Sequence, residues 1–308
     1  MENIETRDDL KPFYEDKDHS INHVYQSVVP TLCKDEPCML GVDEAGRGPV
    51  LGPMVYGIAY VPISQKQILV DMGCADSKAL TEEKRDKIFD LICGNSDKMG
   101  WATDSISPNF IANCMYRRCK TSLNEVSMNS AIALIRKTID SGVFLTEVYV
   151  DTVGPAEKYQ TRLETLFPGI KITVSKKADA IYPIVSAASI CAKVSRDYAL
   201  KSWQFCEAKN DKEHGSGYPN DPVTKEWLSE SIDSVFGFPL IVRFSWSTAE
   251  RILESKAAKV EWDEEEDDPT GGMKIFQYFA ATPAKTGEIK EKNHSFFSDR
   301  NLSNVQAL

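Results

Sequence analysis

The sequence predicts an α/β protein, in which a mixed five-stranded sheet is flanked by helices and followed by a helical C-terminal extension. Two observations lead to this prediction. Short runs of β-forming residues come first and then alternate with helical segments, and only helical patterns follow up to residue 258. The predicted strands are Met39–Asp43, Met54–Val61, Gly100–Ile106, Glu147–Asp151 and Lys171–Val174.

Capping residues, glycine and proline mark the helix boundaries. Thr81 precedes two acids, which is typical of a helix start, and Ser122 with Glu125 three residues on matches a capping box. Pro168 and Gly169 end a helix. The predicted helices start at Thr81, span Ser122–Gly142 and Ala156–Phe167, and continue as Ile184–Phe205, Pro222–Ser231 and Ser247–Lys256.

Composition excludes several classes of protein. The chain has 308 residues, of which 42% are hydrophobic and 27% charged, as in ordinary globular proteins. It has no run of about eighteen apolar residues, so no membrane span is expected. The first thirty residues lack the apolar stretch of a secretory signal. We therefore expect an intracellular protein.

The net charge of −10 is concentrated near the two ends of the chain. Residues 1–20 carry −4 and residues 261–268 carry −7, whereas residues 21–260 together carry only −1. An acidic total therefore does not exclude a local basic groove for nucleic acid.

The eight cysteines allow two interpretations. Cys33 with Cys38 and Cys114 with Cys119 are spaced C-x4-C, which invites a zinc site. No histidine lies close to either pair in the sequence, and the spacing is loose. We expect ordinary reduced thiols.

Four acids lie at or just beyond the carboxyl ends of predicted strands, where ligands bind in α/β sheets. These acids are Asp43, Glu44, Asp151 and Asp179. Converging carboxylates repel one another unless cations neutralise them, and Mg²⁺ is their natural partner. Taken singly, each acid is more simply explained as a solvated turn residue or a helix cap. Asp43-Glu44 carries more weight because Gly46-Arg47-Gly48 follows, allowing close backbone approach to a sugar-phosphate and offering a charged fork.

Longer segments resemble the type 2 ribonucleases H. The similarity runs from about residue 38 to residue 258. The segments that carry it are Asp43–Gly48 (DEAGRG), Ala75–Leu80 (ADSKAL), Val150–Gly154, Ala178–Ala180, Ser186–Asp197 and Gly215–Pro219. Tyr218–Pro222, Phe236–Pro239 and Val242–Trp246 are similar to the catalytic A subunits of the eukaryotic branch.

The resemblance implies a ribonuclease H-like fold and an endonuclease that leaves a 3′-hydroxyl and a 5′-phosphate. Its substrates would be RNA–DNA hybrids and single ribonucleotides embedded in duplex DNA. The four acids would ligate two Mg²⁺ or Mn²⁺ ions. Gly46, Arg47 and Gly48 would contact the ribose 2′-hydroxyl and neighbouring phosphates, and Tyr218 would contact the same hydroxyl and stack on the adjoining deoxyribose.

Three cations are weaker candidates for substrate contacts. Lys78, Lys193 and Arg196 are expected near the phosphate track, although a structural ion pair or a solvated side chain would also explain each. The resemblance further implies a nuclear protein active in DNA replication and ribonucleotide repair, with two non-catalytic partner subunits, B and C.

Four consecutive parts follow from these observations. Residues 1–37 are interpreted as an N-terminal extension and residues 38–180 as the ribonuclease H-like catalytic domain. Residues 181–258 would form a helical part that completes the active site, and residues 259–308 an acidic, flexible tail.

Two other functions remain open from the residues alone. One is a DNA nuclease of the same superfamily with a similar carboxylate set, and the other is a catalytically silent binding scaffold. Gly46-Arg47-Gly48 and Tyr218 argue against the first, and the presence of all four acids argues against the second.

Overall fold

A six-stranded mixed sheet organises the computed structural model, which describes residues 4, 6–10, 21–74, 80–152, 154–207 and 213–259. The strands are β1 His23–Gln26, β2 Cys38–Ala45, β3 Met54–Pro62, β4 Gly100–Ile106, β5 Leu145–Asp151 and β6 Lys171–Ser175. They follow one another in the sheet in the order β1-β4-β3-β2-β5-β6. The pairs β1–β4, β4–β3 and β3–β2 are antiparallel, whereas β2–β5 and β5–β6 are parallel.

The prediction of five strands is wrong by one. The additional strand, β1, lies within residues 1–37 and pairs with β4 at the edge of the sheet. Its four residues bury only one side chain, Tyr25, so no alternating pattern is long enough to reveal the strand in the sequence. The mixed α/β architecture itself is confirmed.

Ten α-helices lie among the described residues, together with 3-10 turns at Arg7–Leu10 and Ile63–Gln65. The helices are α1 Leu32–Asp35, α2 Gln67–Asp71, α3 Glu82–Gly94, α4 Pro108–Tyr116, α5 Leu123–Asp140, α6 Ala156–Leu166, α7 Ala178–Ile181, α8 Pro183–Lys201, α9 Pro222–Ser231 and α10 Ser247–Lys256.

Helix caps account for both the confirmed and the missed boundaries. Thr81 Oγ1 accepts a hydrogen bond from Lys84 N at 3.4 Å, and Ser122 Oγ accepts one from Glu125 N at 3.2 Å, as the sequence predicts. Helix α4 was not predicted, although Ser107 caps it and Pro108 occupies its first turn. Helix α8 ends at Lys201, four residues before the predicted end at Phe205.

Helix α8 lies directly across β2 and β3, and two strand glycines make this possible. A Cβ atom at Gly41 would lie 2.3 Å from the Ile184 carbonyl oxygen, and one at Gly57 would lie 2.5 Å from that of Ala188. Both obstacles are backbone atoms, which cannot rotate away. The buried helix therefore rests on the sheet at a distance that side chains at these positions would prevent.

The other sequence-based expectations have simple outcomes. All eight cysteines are free, and Cys33 and Cys38 are both fully buried. Among the described residues, every helix is either too short or not apolar enough to span a membrane. The acidic run and the rest of residues 260–308 lie outside the described residues, as do residues 75–79 with Lys78.

Replacing Gly57 by alanine tests the close packing of α8. We expect Gly57→Ala to lower the free energy of unfolding by about 1–3 kcal/mol, because the added methyl group collides with backbone. Urea titration followed by circular dichroism measures this. Gly94→Ala is the matched control, since nothing lies within 4 Å of a Cβ there and the helix favours alanine. Equal losses in both variants would contradict the packing argument.

Candidate active site

The parallel pairing of β2 with β5 brings acids of the two strands together. Val42 is paired with Val150, so Asp43 and Asp151 follow on neighbouring strands at the same sheet edge. Glu44 continues β2. The fourth acid, Asp179, lies in α7, and the preceding Ala178 N–H donates to Asp151 Oδ1 at 3.0 Å. Asp179 therefore lies in the turn that packs against the Asp151 carboxylate.

The four acids differ in their exposure to solvent. Asp43 and Asp179 are buried, at 5% and 1% exposure, whereas Glu44 and Asp151 are half-buried. The pKa of Asp43 is raised to about 8, mainly by burial and then by the negative charges of Glu44 and Asp151, against the opposing hydrogen bonds from Ser189 and Glu44 N. Uncompensated negative charge is thus unfavourable here, and a bound cation would relieve it.

The carboxylate oxygens of the four acids suit a hard divalent cation, although they do not by themselves form a complete metal-binding site. Within the described ranges, no three His, Cys, Asp or Glu side chains are grouped closely enough to hold a metal ion. Two carboxylates are partly committed to backbone: Asp43 Oδ1 accepts from Glu44 N at 2.7 Å, and Asp151 Oδ1 from Ala178 N. Glu44 and Asp151 both face a cleft, so oxygen ligands are accessible.

A buried arginine fixes the loop that follows the acids. Arg243 is fully buried, and its guanidinium donates to three carbonyl oxygens: Gly52 at 2.9 Å, Arg47 at 3.1 Å and Gly46 at 2.6 Å. Trp246 Nε1 donates to the Gly48 carbonyl at 3.0 Å, and the Trp246 ring lies 4.8 Å from the Arg243 guanidinium carbon. The C-terminal segment therefore holds the Gly46–Gly48 backbone in place.

Arg243 is the site residue that sequence reasoning missed. It entered only as part of a matching segment, without a role. Burial lowers its pKa to about 9, so it remains protonated at neutral pH. The sequence does contain a signal for this role: Arg243 stands within the otherwise apolar stretch Phe238–Phe244. A charge buried in such a stretch needs several hydrogen-bond acceptors.

A second buried arginine lies against the same loop. Gly46 has a φ of 75°, and a Cβ atom there would lie 2.2 Å from Arg196 Nε. Arg196 is 7% exposed, and its Nε and Nη2 atoms have no hydrogen-bond partner among the described residues. Its nearest acid contact is weak, at 3.9 Å from Asp197. The guanidinium therefore retains buried donors for a ligand.

Tyr218 lies beside Gly48 on a turn docked against the same loop. It is 50% exposed, and a Cβ atom at Gly48 would lie 3.7 Å from its ring. The Gly217 carbonyl accepts from Val50 N at 2.8 Å, and Gly217 N donates to Thr224 Oγ1 at 2.9 Å. These bonds fix the backbone of the turn that carries Tyr218 relative to the loop after β2.

These residues surround a cleft of about 810 Å³, which we call the first cleft. It is open to solvent and lined by many charged side chains, as expected of a surface that binds a charged polymer. Its lining comprises Glu44, Ala45, Gly46, Arg47, Gly48, Glu82, Arg85, Lys193, Arg196, Asp197, Leu200, Lys201, His214, Gly215, Ser216 and Tyr218.

Arg47 is placed differently from the other loop residues. Its Nη1 donates to Ser127 Oγ at 2.7 Å and its Nη2 donates to Asn124 Oδ1, which ties the side chain to the start of α5. There it borders another cleft, the second cleft, of about 320 Å³. Two clefts that share Glu44 and Arg47 are thus lined by most of the predicted site residues, although the buried Asp43 and Asp179 line neither and Lys78 lies outside the described residues.

Comparisons with known proteins agree with this geometry. The family model described as Ribonuclease HII matches residues 40–249. The A subunit of ribonuclease H2 from Bos taurus is 51% identical over 285 residues, which cover 92% of this chain and 94% of the bovine protein.

Two solved structures share the fold. Ribonuclease H2 from Pyrococcus horikoshii OT3 is 35% identical, with a TM-score of 0.61 over 71% of this chain and 98% of that one. Bst-RNase HIII in complex with Mn²⁺ is 16% identical, with a TM-score of 0.54 over 72% of this chain and 70% of that one, and supports the fold alone. The chain belongs to the type 2 ribonuclease H family, within the group of eukaryotic ribonuclease H2 catalytic subunits.

Proposed function

We propose that the chain is a divalent-metal-dependent endoribonuclease that cleaves the RNA strand of RNA–DNA hybrids and also cuts at single ribonucleotides embedded in duplex DNA. Cleavage would leave a 3′-hydroxyl and a 5′-phosphate. One observation carries the proposal: Asp43, Glu44 and Asp151 lie at adjacent strand ends beside a fixed Gly46–Gly48 backbone that faces Tyr218.

Asp43, Glu44, Asp151 and Asp179 would hold two Mg²⁺ or Mn²⁺ ions. The raised pKa of Asp43 and the all-oxygen donor set support this, and a ribonuclease HIII of the same fold was solved with Mn²⁺. Divalent ions supply an activated water and stabilise the leaving oxygen in phosphodiester hydrolysis. The protein's own contribution is to fix three carboxylates on two paired strands and the fourth, that of Asp179, on α7.

The Gly46–Gly48 backbone and Tyr218 would read the sugar. Arg243 and Trp246 take up the loop carbonyls, so the backbone presents a fixed edge towards the first cleft. A ribose 2′-hydroxyl is both donor and acceptor and distinguishes RNA from DNA at one position. The Tyr218 ring, half exposed beside Gly48, would contact that hydroxyl and stack on the next deoxyribose.

Cations in the first cleft would bind the phosphates of the cleaved strand. Arg196 supports this best, because two of its buried nitrogens lack partners among the described residues. Lys193 lines the same cleft one helical turn away. The role proposed for Lys78 stays a prediction, since residues 75–79 lie outside the described ranges.

The biological setting is proposed from the relatives. The bovine relative is named as one subunit of its enzyme, which supports assembly of this chain with partner subunits. That there are two non-catalytic partners, B and C, is proposed from the family resemblance alone. We also propose, as the family resemblance implies, that the enzyme is nuclear and acts in DNA replication and in removing embedded ribonucleotides.

Removing one carboxylate tests the metal site. We expect Asp151→Asn to lower the cleavage rate on a duplex with one ribonucleotide by roughly a thousandfold, because metal assistance contributes several kcal/mol. Rates are measured with Mg²⁺ and with chelator, and the chelator should abolish cleavage by the wild type. Glu147→Gln on the same strand is the control, because Glu147 pairs with Lys171 at 3.3 Å. A wild-type rate for Asp151→Asn would contradict the proposed site.

Replacing Arg243 tests the fixed loop. A lysine has one ammonium group and cannot satisfy three carbonyls, so we expect Arg243→Lys to lower the free energy of unfolding by about 2–4 kcal/mol. At a temperature where the variant stays folded, kcat/KM should fall at least roughly tenfold, because the Gly46–Gly48 edge loses its position. The exposed Arg251→Lys on α10 is the control. Unchanged stability and kcat/KM in Arg243→Lys would show that the loop does not depend on this contact.

A further inference from the structure

The second cleft adjoins the acids, and Tyr218 does not line it. It shares only Glu44 and Arg47 with the first cleft, and Asp151 lies on its wall. Its volume of about 320 Å³ falls within the range of binding sites for small ligands, about 300–1,000 Å³. Glu44 therefore borders two binding spaces, only one of which has an occupant in the proposed function.

One wall of the second cleft is apolar. Tyr56, Met128, Pro155 and Tyr159 form it. Tyr159 is buried, at 9% exposure. Burial raises the pKa of Tyr159 well above the usual range, so its phenol stays protonated. An apolar wall that includes a phenol suits a sugar ring better than a bare ion.

The rim of the second cleft is positively charged. Lys158 and Arg162 are exposed, lie one turn apart on α6 and both line the cleft. Neither pairs with an acid among the described residues, and Arg162 makes only long contacts, 4.0 Å to Met128 Sδ and 3.5 Å to Asn129 Oδ1. Pro155 occupies the N-cap position of α6, and its side chain accepts no hydrogen bond from the first turn of the helix. The positive N-terminal end of α6 therefore adds to the positive charge of the rim.

We infer that the second cleft binds one sugar–phosphate unit of the cleaved strand, on the 5′ side of the ribonucleotide. The inference rests on the proposed function, in which the first cleft takes the ribonucleotide and the deoxynucleotide after it. A strand that continues past the acids in the other direction enters the second cleft. The apolar wall packs against its sugar, and Lys158 and Arg162 pair with its phosphate.

Cleavage kinetics of the full chain test this assignment. The substrate is a duplex with one ribonucleotide, together with versions in which a single neutral methylphosphonate replaces each neighbouring phosphate in turn on either strand. The variants are Lys158→Ala/Arg162→Ala and the control Arg136→Ala, which removes an exposed arginine from α5 outside both clefts. Thermal unfolding checks that the wild type and both variants are folded.

We expect the double variant to raise KM roughly tenfold with kcat nearly unchanged, and to lower the salt dependence of KM. For the wild type, one neutral linkage on the 5′ side should raise KM by a similar factor. In the double variant that linkage should not raise KM any further, because both changes remove the same contact. Arg136→Ala should leave the wild-type penalty intact.

Three other results would overturn the inference. In the first, the double variant and the neutral linkage each raise KM, and at every 5′ position their effects on the binding free energy add in full. In the second, the coupled phosphate lies on the 3′ side or on the complementary strand. The third is an unchanged KM in the double variant. These failures leave cleavage by the wild type intact, whereas failure of the proposed function means that the wild type does not cut the ribonucleotide duplex.

Discussion

The buried guanidinium of Arg243 is the interaction on which the site depends most. Its hydrogen bonds to the carbonyls of Gly46, Arg47 and Gly52 join the loop after β2 to the C-terminal segment. A charge buried without acceptors is costly, so the loop and the segment hold their geometry together. Tyr218 depends on the same arrangement, because its turn hydrogen-bonds to Val50 of that loop.

Acidic and basic side chains occupy different places around this contact. Acids converge at the ends of β2 and β5, where burial and mutual repulsion raise the pKa of Asp43. Cations surround them: Arg196 borders the first cleft, and Lys158 and Arg162 border the second. A polyanion is therefore attracted to both clefts that border Glu44, while the acids themselves favour divalent cations. The acidic net charge of the whole chain does not reflect this local pattern.

The sequence predicted the mixed sheet, most helices and the placement of acids at strand ends, because periodicity, caps and breakers are local signals. It did not predict β1, whose four residues are too short to show a pattern, or the role of Arg243, which depends on carbonyls nearly two hundred residues away. The tie between Arg47 and Asn124 at the start of α5 was likewise invisible, because only folding brings these residues together. The predicted roles of the individual site residues await experiment.

The central claim is that this site selects a ribose before it cuts, and one comparison tests it directly. Matched 5′-labelled duplexes carry either a ribonucleotide, a 2′-deoxynucleotide or a 2′-O-methyl nucleotide at a single position, and cleavage is followed with Mg²⁺. We predict a cut at the ribonucleotide only, leaving a 3′-hydroxyl, because both other sugars lack the free 2′-hydroxyl. Cleavage of the all-deoxy duplex at a comparable rate would contradict the account.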